Sequence, residues 1–303
     1  MKLHRVALIG FGEVGQIFAR DLRAAGLSRL AAFDIAFESL DSPQSKAARS
    51  QEITVCTSAG EAAAQADLVI SAVTAGSALA AAQSAAGHLR HAPFFLDVNS
   101  VSPSTKQAAD AVVKQAGGRY VEAAVMTSVP PHGIRSPMLL GGRYAETFIT
   151  LAAPWGMRLT AFSPEIGGAS SVKMCRSVMI KGLEALTTEC MLAARHYGVE
   201  KQVLASLADT LPHEDWRSLA RYMISRALLH GRRRAEEMRE VAKTVQEAGI
   251  EPMLAASTAT RQDWAFARGR ELQADALASQ DLDTLLDALL TVARQPASGP
   301  SGG

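Results

Sequence analysis

The sequence predicts an α/β domain with a doubly wound, mainly parallel sheet, followed by an all-helical domain. Three observations carry this. The first half alternates short, continuously apolar runs with helix-like segments. A glycine-rich turn directly follows the first apolar run. After about residue 165 the β-branched runs thin out and helical periodicity dominates to about residue 295. A parallel sheet covered on both faces needs strands that are apolar throughout rather than alternating.

The elements follow in order. "HRVALIG" (4–10) reads as a buried strand, and "VGQIFARDLRAAG" as a helix closed by Gly26. Further strands are expected at 29–34, 53–58, 67–74 and 92–100, with Ala-rich helical stretches between several of them. Three more short strands fit 119–126, 137–142 and 158–163. The boundaries expected are 1–165 for the α/β domain, 166–295 for the helical domain and 296–303 for a disordered tail, "ASGPSGG" with the proline before it. No repeat recurs at a fixed period.

Composition narrows the class. The chain has 303 residues, 48% hydrophobic and 20% charged, with a formal net charge of +1. That is the profile of a soluble globular protein of two ordinary domains. A balanced charge gives no case for nucleic acid or an anionic membrane as the main partner. No apolar run approaches the roughly 20 residues of a membrane span. The N-terminal apolar run is too short for a signal peptide and ends in glycines, so a cytoplasmic location is expected. Cys56, Cys175 and Cys190 show no metal-site or disulfide spacing. No metal is expected, and the two helical cysteines read as small buried thiols.

"GFGEVG" places Gly10, Gly12 and Gly15 in the GxGxxG spacing, with Phe11, Glu13 and Val14 between them. Following a strand and opening a helix, this is the fingerprint of a Rossmann dinucleotide-binding turn. Gly10 permits the turn, Gly12 allows close approach of a pyrophosphate, and Gly15 lets helix pack on strand. The helix N-terminus offers free N–H groups to phosphate. Asp34 ends the second strand 19 residues beyond Gly15. It suits the ribose hydroxyls and would repel a 2′-phosphate, favouring NAD, with NADP possible. Val73 and Thr74, at the end of the fourth strand, are further expected cofactor contacts.

At this point the chain resembles the β-hydroxyacid dehydrogenase superfamily, which includes 6-phosphogluconate and 3-hydroxyisobutyrate dehydrogenases. The glycine-rich turn is the first of four motifs. "DVNSVSP" is similar to the family's segment near the nicotinamide, with Asn99 and Ser100 as the polar residues. "EAAVMTS" (Glu122–Ser128) takes the place of the family's substrate-binding segment; Met126 replaces a serine, and Thr127 and Ser128 replace two glycines. His132 and Arg135 lie close by and could add anion contacts. Gly167, Ala169, Lys173 and Ser177 fall on a fourth pattern, Gly-x-Gly-x-x-x-Lys-x-x-x-Asn, with alanine for the second glycine and serine for asparagine. "HGRRRAEEMREV" (230–241) is similar to a subgroup with a poorly characterised helical domain. Glu236 and Glu237 stand where relatives carry a Lys-Asp pair, leaving Arg233, Arg234 or His230 to hold an anionic substrate.

The resemblance implies an NAD(P)-dependent dehydrogenase or reductase of a small anionic hydroxyacid. Lys173 would be the general base or acid, with Ser177 and Asn99 as catalytic partners. Ser100, Met126, Thr127, Ser128 and Arg234 would bind substrate. A free lysine, with a pKa of about 10.4, needs burial and a nearby cation to become a base at neutral pH. Decarboxylation could follow if a β-keto acid forms. Other readings are an imine or keto reductase and a non-catalytic NAD-binding regulator. The helical half is expected to pair into a homodimer. Helical periodicity puts Lys173, Ser177 and Glu184 on one face, and Val172, Cys175, Met179, Leu183 and Leu186 on another that should be core.

Overall fold

The structure, a computed structural model, describes residues 3–294; the tail expected at 296–303 lies outside the described residues. The chain forms two compact units, Met1–Cys175 and Arg176–Gly303. They part inside a long helix, whereas the sequence changes texture near residue 165.

The first unit begins with β1 (Arg5–Ile9), α1 (Glu13–Ala24), β2 (Arg29–Phe33), α2 (Pro43–Ser50), β3 (Thr54–Val55), α3 (Ala59–Ala63) and β4 (Leu68–Ser71). It continues through α4 (Ala78–Ala86), β5 (Phe94–Asp97), α5 (Pro103–Gln115), β6 (Arg119–Val125), α6 (Val129–His132), β7 (Met138–Gly141), α7 (Ala145–Ala152) and β8 (Leu159–Ser163). The sheet runs β3-β2-β1-β4-β5-β6-β7-β8. Strands β3 to β6 are parallel, with Leu8 opposite Ala32 and Ile70, and Ile70 opposite Leu96. β7 is antiparallel to β6, and β8 is parallel to β7. The central order is that of a Rossmann sheet, whose switch point lies between β1 and β4.

The central strands are buried along their length: β4 and β5 at every residue, β1 at all but Arg5. Successive side chains feed opposite cores. Leu8, Ile70 and Leu96 pack with Phe18, Phe94 and Phe148 on one face. Ala7, Ile9, Val69 and Phe95 pack with the small residues of α3 and α4 on the other. β3 is shorter than the strand expected at 53–58. Its two residues are exposed at the sheet edge, and Ile53 and Cys56 turn inward on either side.

The second unit takes most of α8 (Gly168–Tyr197), then α9 (Glu200–Thr210), α10 (Trp216–Glu247), α11 (Met253–Gly269), α12 (Ala274–Ala278) and α13 (Leu282–Ala293). Its core joins Met191, Ile224, Leu228, Ala265, Leu285 and Leu289. Asp215 and Asp281 cap α10 and α13 by accepting the N–H groups of Ser218 and Thr284. Gly231 lies in the middle of α10. A Cβ there would stand 2.3 Å from the Gln262 carbonyl oxygen, so glycine lets α10 and α11 touch backbone to backbone. Among the described residues no helix is long and apolar enough to cross a membrane.

One buried network fixes the loop after β5. Lys106 of α5 and Asp97 form an ion pair at 2.9 Å, both side chains 1% exposed. The Lys106 ammonium also donates to the Asp97 carbonyl at 2.8 Å. The second carboxylate oxygen accepts the Tyr120 hydroxyl at 2.7 Å. Burial and this carboxylate together push the Tyr120 phenol well above its usual range. Removing one member of a buried pair leaves the other charge uncompensated, at a cost of about 3–5 kcal/mol. Lys106→Met should therefore lower the free energy of chemical unfolding by that order. A change below about 1 kcal/mol would show that Asp97 is not left as an uncompensated buried charge.

Candidate functional site

The glycine turn joins β1 to α1. Gly10 has φ +91°, and a Cβ on it would sit 2.3 Å from the Ala72 carbonyl oxygen, so the first turn touches the end of β4. A Cβ on Gly15 would sit 2.2 Å from the Gly10 carbonyl oxygen, where α1 crosses the turn. Gly12 is different: a Cβ there would meet nothing within 4 Å. Open space therefore faces the N-terminus of α1, and no side chain caps that end. Uncapped N–H groups beside a side-chain-free opening suit a pyrophosphate. Phe11 is buried with its ring 5.8 Å from Phe37, Glu13 is exposed, and Val14 is half-buried.

Asp34 fixes the far side of the turn. One carboxylate oxygen accepts the Phe11 N–H at 2.6 Å, the other the Ala36 N–H at 2.8 Å. Each bond uses one lone pair, leaving the carboxylate able to accept ribose hydroxyls.

Two neighbouring strand ends are tied together by Asn99. Its side-chain oxygen accepts the Val73 N–H at 2.7 Å, and its amide nitrogen donates to the Ser71 hydroxyl at 2.9 Å. Its own N–H donates to Asp97 at 2.9 Å. Asn99 is buried and braces the loops after β4 and β5, while Thr74 stands exposed beside them.

Lys173 lies in the second turn of α8, in the first unit. Its ammonium donates to the Ser100 hydroxyl at 2.6 Å, which places it over the C-terminal end of β5. The residue that sets this reach is Glu122. The sequence put it at the head of a substrate segment, but its carboxylate is fully buried and caps α8. It accepts the Gly167 N–H at 2.5 Å and also the Ser170 N–H. Gly141, opposite Glu122 in the β6–β7 register, makes room: a Cβ there would stand 2.6 Å from the carboxylate. Two amides at a helix N-terminus are the natural partner of a buried anion. Sequence reasoning missed this, although an acid in the middle of a strand, flanked by Val121 and Ala123, was the available signal.

The replaced substrate segment leaves β6 through Met126, half-buried, whose N–H donates to the Pro137 carbonyl at 2.9 Å. Thr127, Ser128, His132 and Arg135 are exposed. The loop is anchored by Asp21, which accepts the Ile134 N–H at 3.0 Å.

The faces of α8 are the reverse of those expected. Ser170, Ser177, Lys181, Glu184 and Thr188 are buried. Met179 is 63% and Leu186 65% exposed, and Cys175 and Cys190 are exposed rather than core thiols. From Ser177 onward the cause lies within the second unit, where the polar face of α8 meets an equally polar face of α10. Lys181 pairs with Glu237, and Arg234 with Glu184. Lys181 lies 3.4 Å from the Ser177 hydroxyl. Arg234, expected to bind substrate, is thus buried in an ion pair. Burial disfavours both charges, raising the Glu184 carboxyl and lowering the Arg234 guanidinium from their ordinary values. Glu236 keeps one buried carboxylate oxygen without a partner. Among the described residues no group of three or more His, Cys, Asp or Glu side chains is arranged to hold a metal ion.

Residues 5–140 match the NAD-binding domain of 6-phosphogluconate dehydrogenase, and residues 194–265 match a domain of unknown function. A conserved hypothetical protein from Sinorhizobium meliloti 1021 is 34% identical, with 96% of this chain and 97% of that one covered and a TM-score of 0.71. A conserved protein described as structurally similar to 3-hydroxyacid dehydrogenases is 33% identical, covering 88% of this chain and 99% of that one, with a TM-score of 0.64. The Mycobacterium tuberculosis 3-hydroxyisobutyrate dehydrogenase, solved with L-serine, shares the fold at 18% identity and a TM-score of 0.67, over 97% and 100% of the two chains. The chain belongs to the β-hydroxyacid dehydrogenase superfamily, with an NAD(P)-binding Rossmann domain and a helical C-terminal region.

His230 of α10 is half-buried, and its imidazole is held down to about 4 by burial and by Arg226, Arg233 and Arg234. It stays neutral in the fold, whereas the unfolded chain takes up a proton below about 6.5. Stability should therefore fall as pH drops from about 6.5 to about 4. Solvent on the exposed side limits the effect to about 1 kcal/mol. His230→Gln should flatten that slope in chemical unfolding at low ionic strength. An unchanged slope would remove His230 as its source.

Proposed function

We propose that the protein is an NAD-dependent dehydrogenase of a small β-hydroxyacid, also able to reduce the matching carbonyl compound, with Lys173 as the proton-transfer group. The observation that carries the reading is the Lys173–Ser100 pair, 2.6 Å apart at the C-terminal end of β5. In doubly wound folds, ligands bind outside the carboxyl ends of the strands. Bound NAD would supply the hydride acceptor. Lys173, in its neutral form, takes the substrate hydroxyl proton as the C–H bond breaks, and returns it in the reductive direction. Ser100 keeps the ammonium aimed at that position. Asn99 holds the loops after β4 and β5 at one spacing, and Glu122 holds the start of α8. The open space at Gly12 and the uncapped α1 end are the features that fit the pyrophosphate. Asp34, fixed by two backbone amides, supports NAD over NADP, because a 2′-phosphate would meet its charge. Thr127 and Ser128 supply exposed hydroxyls for the substrate acid.

We also propose a homodimer through α8. A stripe of exposed Cys175, Met179, Leu186 and Cys190, with half-buried Gly182 and Leu183 between them, carries no charge. The stripe reads alike from either end about Gly182–Leu183, as Met179 and Leu186, or Cys175 and Cys190, exchange places. Such a stripe suits an antiparallel, two-fold contact with a second copy.

Lys173→Met should lower turnover of the best hydroxyacid found in a nicotinamide-absorbance screen by at least about 10²-fold, with NAD affinity unchanged. Near-normal turnover would end the assignment. Asp34→Ala should weaken NAD binding and narrow the preference over NADP; an unaltered ratio would refute that role. Leu186→Glu, at an exposed site, should convert a dimer to a folded monomer in light scattering. A wild-type monomer at micromolar concentration would exclude the α8 contact.

A further inference from the structure

The helical unit carries a cluster of cations in which Arg226 makes no ion pair among the described residues. Arg226, His230, Arg233, Arg234 and Glu237 recur along one face of α10, at the three- and four-residue spacing of a helix. Lys181 and Glu184 of α8 face them, and Gln262 of α11 closes the group, its amide 3.5 Å from Glu184. Among the charges acting on one another here are the cations Lys181, Arg226, Arg233 and Arg234 and the carboxylates Glu184 and Glu237. The carboxylates are already used: Glu184 by Arg234 and Gln262, Glu237 by Lys181 and Arg233.

What is left over has the chemistry of an anion receptor. The Nε atoms of Arg226 and Arg234 are both buried without a hydrogen-bond partner. Arg226 makes no salt bridge, and the His230 ring makes no hydrogen bond, among the described residues. The side-chain oxygen of Gln262 is a buried acceptor, also unpaired. A buried guanidinium N–H left unmade is costly. Arginine forks match the paired oxygens of carboxylates and phosphates. A neutral imidazole between two guanidiniums can donate one further N–H. An acceptor beside these donors suits a hydroxyl group on the same ligand.

We propose that Arg226, His230 and Arg234 form an oxyanion-binding site in the helical unit, for a ligand bearing a phosphate monoester or carboxylate group with a neighbouring hydroxyl. Bound anion gives Arg226 an ionic partner and pairs the idle guanidinium N–H groups. It also opposes the guanidinium field on His230, so the imidazole becomes easier to protonate. The groups facing that ring are Arg226, Arg233, Arg234 and Glu237 on its own helix, with Lys181 and Glu184 on α8.

The test uses the full chain at low ionic strength, with inorganic phosphate and with glycolate as separate probes and chloride as the control. Binding is read by calorimetry and by the imidazole signals in NMR, assigned through His230→Gln. The expected result is saturable binding of one oxyanion but not chloride, with the His230 titration moving up from about 4. Arg226→Met should weaken that binding at least tenfold, and Arg226→Lys, which keeps the charge but not the fork, by less. Preference for phosphate over glycolate would assign a phosphate ester; the reverse would assign a carboxylate. Absence of His230 shifts with both probes, or binding by Arg226→Met equal to the wild type, would overturn the proposal.

Discussion

The buried carboxylate of Glu122 is the contact on which the arrangement of the first unit depends. It sits on β6, inside the sheet, yet bonds to the Gly167 and Ser170 amides at the start of α8. A buried charge is tolerable only where strong partners are fixed in place, and a helix N-terminus supplies them. The bond fixes where α8 starts relative to the sheet. Lys173 then arrives beside Ser100 at the end of β5. The Asp97–Lys106 pair fixes the other half of that meeting, because it holds the loop from which Ser100 projects. Two buried ionic contacts, one on β5 and one on β6, thus set a single half-exposed pair.

The same physics shapes the helical unit with a different result. There α8 and α10 bury their charged faces against each other, and the pairs Lys181–Glu237 and Arg234–Glu184 replace an apolar seam. Such a seam contributes less net stability than a well-packed apolar one, and it leaves the apolar stripe of α8 facing outward. It also concentrates positive charge beside His230.

The sequence carried the Rossmann half well, because its signals are local. Strand burial, glycine spacing and the acid at position 34 each leave a mark within a few residues, and Gly10 and Gly15 are constrained by carbonyl oxygens that a Cβ would strike. Lys173 stood out by its motif rather than by its helix, since periodicity alone cannot tell an outward charge from a directed one. The faces of α8 were misjudged for a related reason. An amphipathic pattern separates two faces but does not say which is buried when the polar face meets charges of opposite sign from a helix about 50 residues away. Glu122 and Lys106 were equally opaque, because their partners are backbone amides and a strand-end carboxylate that only the fold brings near.

Hydrogen exchange of the α8 amides tests the central contact without any substrate. In Glu122→Gln the cap loses its charge and one acceptor oxygen. The account predicts that protection at residues 167–171 falls by about tenfold or more, on the order of 1.4 kcal/mol, while the amides of β1 and β4 are unaffected. Protection at 167–171 equal to that of the wild type would mean that Glu122 does not hold the helix, and the positioning of Lys173 would need another cause.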